Sequence, residues 1–202
     1  MSLSLSEKWD QKYADVDPKK PVPPAWALKQ HLRQLPLTGK ALDLACGLGG
    51  NARFLAQCGL TVDAWDISDT ALTHLNNWAA VNRLPITPTI CDFEQMLFPF
   101  QQYDVIVISR YLNRTLWPQI AQALKPNGKI LIQTFLAPVQ ENAPSNPLFY
   151  LQTGELSQLP QTEPSWKDFE INVYGEGWLA ENTSTKSRYA WLLATKRPVK
   201  RQ

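Results

Sequence analysis

The sequence predicts an α/β fold: a mostly parallel sheet with helices on both faces, closed by an antiparallel hairpin. Three features carry this. Short apolar runs rich in β-branched and aromatic residues alternate with segments whose apolar residues recur at helical spacing. The first run passes through a turn holding Gly47, Gly49 and Gly50 into a helix start. The last third carries two further apolar runs, separated by Gly, Asn, Thr and Ser.

Parallel strands are expected at Ala41–Ala45, Leu60–Asp66, Ile86–Cys91, Tyr103–Ser109 and Lys129–Phe135. Leu72, Leu75, Trp78 and Ala79 recur at helical spacing, as do Leu116, Ile120, Ala123 and Leu124, giving two crossover helices. Pro126-Asn127-Gly128 ends the second, because proline cannot continue a helix and Asn-Gly accepts a left-handed turn. Residues 137–164 are rich in Pro, Asn, Gln and Ser, with a short helix near Gly154 to Leu159, and read as a lid or acceptor loop. Phe169, Ile171 and Val173 alternate, and Tyr189 to Thr195 is almost continuously apolar, which predicts the closing hairpin. Residues 1–40, with five prolines and Trp9, Tyr13 and Trp26, form an arm and first helix over the core.

A length of 202 residues with 44% hydrophobic content suits a single domain over 1–202. Twenty basic and eighteen acidic residues leave a formal charge of +2, too little for a strong field toward nucleic acid or a membrane. Cys46, Cys58 and Cys91 lie in apolar runs and read as free thiols in a reducing compartment. His31 and His74 are isolated and no Cys or His pair has zinc spacing, so no metal is expected. The start lacks a basic segment followed by a long apolar one, and no run approaches a membrane span, so a soluble cytoplasmic protein is expected.

Open α/β sheets bind ligands at the carboxyl ends of their strands. Those ends carry Gly47 to Asn51, Asp66, Asp92 and Ser109-Arg110. Gly47-x-Gly49-x-x-Ala52, with Asp66 about 20 residues on, satisfies a dinucleotide pattern. Two details favour another ligand. Asp43 lies inside the strand before the glycines, where it would repel a pyrophosphate but orient the loop and suit a positively charged amino-acid end; alternatively it caps the loop's amides. Cys91-Asp92-Phe93 places an acceptor and an aromatic face where an adenine would be held.

These residues resemble the class I methyltransferases that use S-adenosylmethionine. Asp43 to Gly50 is similar to their first motif, Asp66-Ile67-Ser68 to the second, Cys91-Asp92-Phe93 to the third and Tyr103 to Arg114 to the fourth. The resemblance implies a Rossmann-like seven-stranded sheet with one antiparallel strand. It also implies that Gly47 and Gly49 approach the methionyl part, Asp66 binds the ribose hydroxyls, and Asp92 with Phe93 holds adenine. Asp43, Ala45, Cys46, Asn51, Ile67 and Ser109 complete the implied cofactor-binding set. Ala45 stands where the family often has glycine, a mild departure if the strand is still extended there. Trp9-Asp10-Gln11-Lys12-Tyr13 resembles the opening of small bacterial, tellurite-resistance-like members, whose arm closes over the cofactor; Trp9 and Tyr13 are lid candidates on that ground.

Methyl transfer from a sulfonium chiefly needs alignment and exclusion of water, and a general base only for a protonated acceptor. Arg110, Tyr111, Asn113 and Arg114 are the acceptor-site candidates, and two guanidinium groups suggest an anionic small molecule. Phe149 and Tyr150 are candidates for a lid and apolar wall. The alternatives are methylation of RNA or protein, a nicotinamide-dependent oxidoreductase, and a non-catalytic protein that binds the adenosyl cofactor. The basic tail Lys196 to Arg201 reads as solvated.

Overall fold

The computed structural model describes residues 3–17, 20–141, 143–180 and 185–198. Its seven strands are β1 (Lys40–Leu44), β2 (Thr61–Asp66), β3 (Ile86–Ile90), β4 (Tyr103–Ser109), β5 (Leu124–Phe135), β6 (Phe169–Ala180) and β7 (Lys186–Lys196), in the order β3-β2-β1-β4-β5-β7-β6. The first five pair in parallel, and β7 runs antiparallel to both β5 and β6. Alternate residues of the central strands serve opposite faces. Leu42, Leu44, Ile106 and Ile108 enter one core with Trp117, Ile120, Leu156 and Trp166, while Ala41, Val105 and Val107 enter the other with Leu28, Leu55 and Leu75. A strand buried on both faces has no polar side to show, which is why these segments read as continuous apolar runs. Chain order reverses between β1 and β4, and the crevice at their carboxyl ends is where such a sheet takes a ligand.

The helices are α1 (Leu5–Ala14), α2 (Trp26–His31), α3 (Gly50–Gln57), α4 (Asp69–Asn82), α5 (Trp117–Ala123) and α6 (Glu155–Thr162). In α1 the Glu7 amide donates to Ser4 Oγ at 3.2 Å and the Ser4 amide to Glu7 Oε2 at 2.7 Å, a reciprocal cap that the Ser-x-x-Glu spacing announces. Ser68 starts α4 by accepting from the Ala71 amide at 3.2 Å.

Some boundaries move. β1 and β3 stop one residue before Ala45 and Cys91, and β2 starts one after Leu60. The helix expected to reach Leu124 ends at Ala123, since Leu124 already pairs with Tyr103; the ladder slips over the next residues and resumes at Lys129 and Val105. Asn127, at φ +64°, provides the left-handed residue that closes this bulge. Trp78 does not enter the core face of α4: it is half-buried with the Arg53 guanidinium 4.6 Å from its ring centroid. The 137–164 segment is a structured cover containing α6, and Leu136 bridges to Leu151.

Candidate functional site

Gly49 stands at the N-cap of α3 and has no side chain to cap the first amides of the helix. Asp43 supplies the cap from β1: its Oδ2 accepts from the Ala52 amide at 2.9 Å and its Oδ1 from Asn51 Nδ2 at 3.1 Å. Burial pushes the Asp43 carboxyl up to about 7, against the two hydrogen bonds that lower it. Asn51 in turn donates to Ser109 Oγ at 2.9 Å on β4 and accepts from the Ala25 amide at 2.9 Å in the arm. The side-chain amide of Asn51 thus joins three segments, and Asp43 acts as the anchor of the loop, with its side chain fully buried.

Ala45 is not extended, contrary to the expectation from its place in the first motif. Its φ is +56°, because the chain turns out of the sheet there so that the Cys46 amide can donate to the Trp65 carbonyl at 3.0 Å. Gly47 has φ +51°, and a Cβ there would stand 2.7 Å from the Tyr13 hydroxyl, which would have to shift. The Gly47 amide donates to Asp66 Oδ2 at 2.7 Å, and the Ser68 amide to Asp66 Oδ1 at 3.0 Å. Asp66 is buried, which raises its pKa, and each oxygen keeps a further lone pair for a ligand hydroxyl. Ile67 is half-buried beside it, and Cys46 is a buried thiol whose pKa burial raises, a packed residue rather than a nucleophile.

The arm lies over this turn. Asp10 Oδ1 accepts from Ser68 Oγ at 2.6 Å and from the Thr70 amide at 3.1 Å, which ties α1 to the start of α4. Trp9 and Tyr13 stack with centroids 6.0 Å apart, Lys12 Nζ stands 4.2 Å over the Trp9 ring, and burial raises the Tyr13 pKa. Sequence reasoning does not reveal the role of Asp10, because its partners are 58 and 60 residues away and no local spacing marks them.

At the third strand end, Asp92 accepts from the Glu94 amide at 3.0 Å and from Gln95 Nε2 at 2.7 Å. Phe93 offers no open stacking face. It is buried against Phe98 and Tyr111, at 6.4 and 5.6 Å, because the aromatic cluster around Trp65 takes up its surface.

The segment after β4 divides. Arg110, at φ +55°, donates from Nε to the Tyr189 hydroxyl at 3.1 Å, and its charge adds to the burial that lowers the Lys12 pKa. Tyr111 is half-buried and its phenol is pushed up to about 12, chiefly by burial, so it is protonated at neutral pH. Asn113 and Arg114 both have protein partners, and Asn113 also hydrogen-bonds the Tyr111 phenol. Asn113 caps the short turn Arg114–Leu116 by accepting from the Thr115 amide at 3.1 Å and the Thr115 hydroxyl at 2.7 Å. Arg114 grips Glu155 through Nε and one terminal nitrogen at 2.6 and 2.8 Å, and donates to the carbonyls of Leu148 and Tyr150 at 3.1 and 3.0 Å. Its planar fork holds the cover to the sheet. Tyr150 is likewise a core residue, packed on Phe135 with its hydroxyl donating to the Pro144 carbonyl at 2.7 Å, whereas Phe149 is exposed.

A cavity of about 620 Å³ opens between residues 138–141 and the β6–β7 hairpin, with Trp178, Lys186 and Arg188 on its walls. Trp178 and Arg188 carry no mark in the sequence, since alternation in a hairpin does not say which face meets a cover. The basic tail is partly structural: Lys196 donates to the Ala121 and Leu124 carbonyls and Arg197 pairs with Glu170, while residues 199–202 lie outside the described residues. Among the described residues, no group of three or more His, Cys, Asp or Glu is placed to hold a metal ion, and no helix is long and apolar enough to cross a membrane.

Residues 41–128 match a family model described as a methyltransferase domain. A probable S-adenosyl-L-methionine-dependent methyltransferase, TehB, from Haemophilus influenzae is 26% identical over 165 residues, covering 78% of this chain and 57% of that protein. A ubiquinone biosynthesis O-methyltransferase from Coxiella burnetii is 29% identical over 136 residues, covering 64% and 58%. The chain therefore spans less than two thirds of the length of these curated relatives. The crystal structure of TehB from Haemophilus influenzae superposes with a TM-score of 0.68 at 23% identity, over 95% of this chain and 67% of that one.

Proposed function

Because residues 41–128 match a methyltransferase-domain model and S-adenosylmethionine-dependent methyltransferases are among the chain's relatives, we propose that it is a class I methyltransferase that transfers a methyl group from S-adenosylmethionine to a small anionic acceptor. The observation that carries this reading is the convergence, at one switch point, of a side-chain-free turn at Gly47, the Asp66 carboxylate beside it and the cationic Arg110 across from it. When bound, the cofactor supplies a methyl group on a sulfonium that departs as a neutral thioether.

The protein's own share is then placement and dryness. Asp66 offers lone pairs to the ribose hydroxyls, and the Gly47 turn leaves room for the methionyl chain. Asp43 and Asn51 act one step back, as positioning residues that fix the turn. Tyr13, laid over Gly47 by the Asp10 tie, keeps water from the turn. Arg110 and Lys12 present positive charge to the acceptor. An anionic acceptor also fits the protonation state of the nearest phenol: Tyr111 holds its proton at neutral pH, and an acceptor that arrives ionised needs none removed.

Calorimetry with S-adenosylmethionine and S-adenosylhomocysteine tests the first half. Saturable binding is expected, weakened about tenfold or more by Asp66→Ala and less by Asp66→Asn, which retains an acceptor for Gly47. No binding to the unaltered chain overturns the reading. Transfer of a labelled methyl group across oxyanions, carboxylates, thiols and amines tests the second half, and transfer confined to neutral amines overturns the anionic acceptor.

A further inference from the structure

On the far side of α3 from β1, the residues 20–24 of the arm, α3 and α4 enclose a cavity of about 250 Å³ that none of the preceding chemistry uses. Lys20, Pro21, Pro24, Arg53, Phe54 and Trp78 stand among its walls, and among the described residues that line it there is no carboxylate. The Arg53 guanidinium lies 4.6 Å from the Trp78 ring centroid, and its Nε is buried with no hydrogen-bond partner among the described residues. An unpartnered buried donor is unfavourable, more so when it is charged. Burial also lowers the Arg53 pKa. Two cations therefore meet a wall of proline and aromatic rings in a space below the usual size of a drug-binding pocket.

We propose that this cavity is a second small-molecule site, which takes an organic anion with one flat apolar ring, the anionic end on the Arg53 guanidinium and Lys20 and the ring against Pro21, Pro24 and Phe54. The volume limits the ligand to a single ring with its anionic group. The aromatic walls separate it from a bare inorganic ion, which would gain the charge contacts but no stacking. The site shares Gly50 with the glycine turn, but Arg53 and Lys20 take no part in the Asp43 and Asp66 contacts at the carboxyl end of the sheet.

Phenyl phosphate titrated into the full ¹⁵N-labelled chain tests this, with the Arg53 Nε–H resonance as the probe, assigned by its loss in Arg53→Lys. A saturating shift with a midpoint near about 1 mM is expected, about tenfold weaker in Lys20→Gln and for inorganic phosphate, and retained in Arg110→Ala. A resonance that does not move, or that drifts linearly with every other arginine signal, overturns the site. Equal affinity for inorganic phosphate overturns the ring-bearing class, and a shift abolished by Arg110→Ala assigns the anion to the acceptor side instead. Should Arg53→Lys fold poorly, calorimetry on Lys20→Gln against the unaltered chain reads the same weakening.

Discussion

The carboxyl ends of β1 and β4 lie side by side, leave the sheet by the same backbone move, and are then put to opposite uses. β1 runs into Ala45 at φ +56° and β4 into Arg110 at φ +55°, both left-handed without glycine. After β1, the polar side chains are bonded to the protein itself: Asp43 to Ala52 and Asn51, Asn51 to Ser109 and Ala25, Asp66 to Gly47 and Ser68. After β4, the segment splits between a cation at the mouth of the site, Arg110, and one four residues later that fastens the cover, Arg114. A ligand cradle is built by satisfying its own groups first, whereas the acceptor side sets a charge at its mouth and stiffens itself from a distance.

The largest expected break in this contrast is Asp43→Ala. It leaves the Ala52 amide and Asn51 Nδ2 without their acceptor in a fully buried place, at a cost of about 3 kcal/mol, or roughly 6–12 °C in Tm for a chain of this size. Arg110→Ala, a larger deletion, should move Tm by no more than about 2 °C while reducing kcat/KM for an anionic acceptor by about tenfold or more, through KM. Thermal melts with acceptor kinetics check both. Equal destabilisation by the two variants would mean that the β4 turn matters to folding as much as the β1 turn does.

The same carboxylate sets a pH dependence. Between its ordinary value of 3.8 and about 7, native Asp43 holds a proton that the unfolded chain has lost. Stability from this group therefore increases as pH falls from about 7 toward 4, and the penalty of its burial is fully present above about 7. Urea unfolding at pH 5 and pH 8 should show the unaltered chain gaining on Asp43→Asn at the lower pH. A gap that is the same at both would show that Asp43 titrates normally.

Next in size is Arg114→Ala, expected to cost about 1–2 kcal/mol once the partly exposed Glu155 pair is discounted for solvent screening. It should also speed proteolysis within 137–164, and Arg114→Lys should restore less than half, since an ammonium cannot reach two carboxylate oxygens and two carbonyls at once. Limited proteolysis with a melt decides it, and full rescue by lysine would reduce the grip to a simple charge pair.

What can be read from the chain follows the range of the forces involved. The burial of the strands, the glycine turn and the acids at strand ends are local demands, so Gly47, Asp43 and Asp66 stand out. Partner choice is long-range: Arg114 and Arg110 have the same chemistry in sequence, and only Glu155, 41 residues on, separates their fates. Asp10 and Trp178 escape notice for the same reason. The helix α1 is within reach, since Ser4 and Glu7 have the spacing of a reciprocal cap. Ala45 misleads because a strand and a left-handed turn differ there by a single residue, and only glycine would announce the turn.

Ala45 also gives the smallest and most discriminating change. A left-handed conformation costs an L-residue about 1–2 kcal/mol, and a glycine would return that less about 0.5–1 kcal/mol of extra chain entropy. Ala45→Gly should therefore raise stability by about 0.5 kcal/mol, roughly 1–2 °C, with cofactor affinity unchanged, because the Cys46 bond to Trp65 and the Gly47 bond to Asp66 remain. Arg110→Gly grants the same backbone relief on β4 but removes the cation and its bond to the Tyr189 hydroxyl, so it should fall below Ala45→Gly in the melt as well as raise the acceptor KM. If Ala45→Gly instead lowers Tm, the Ala45 methyl, which packs against the core that holds Leu44 and Trp65, outweighs the strain. The two left-handed exits would then be alike in geometry and unlike in what holds them there.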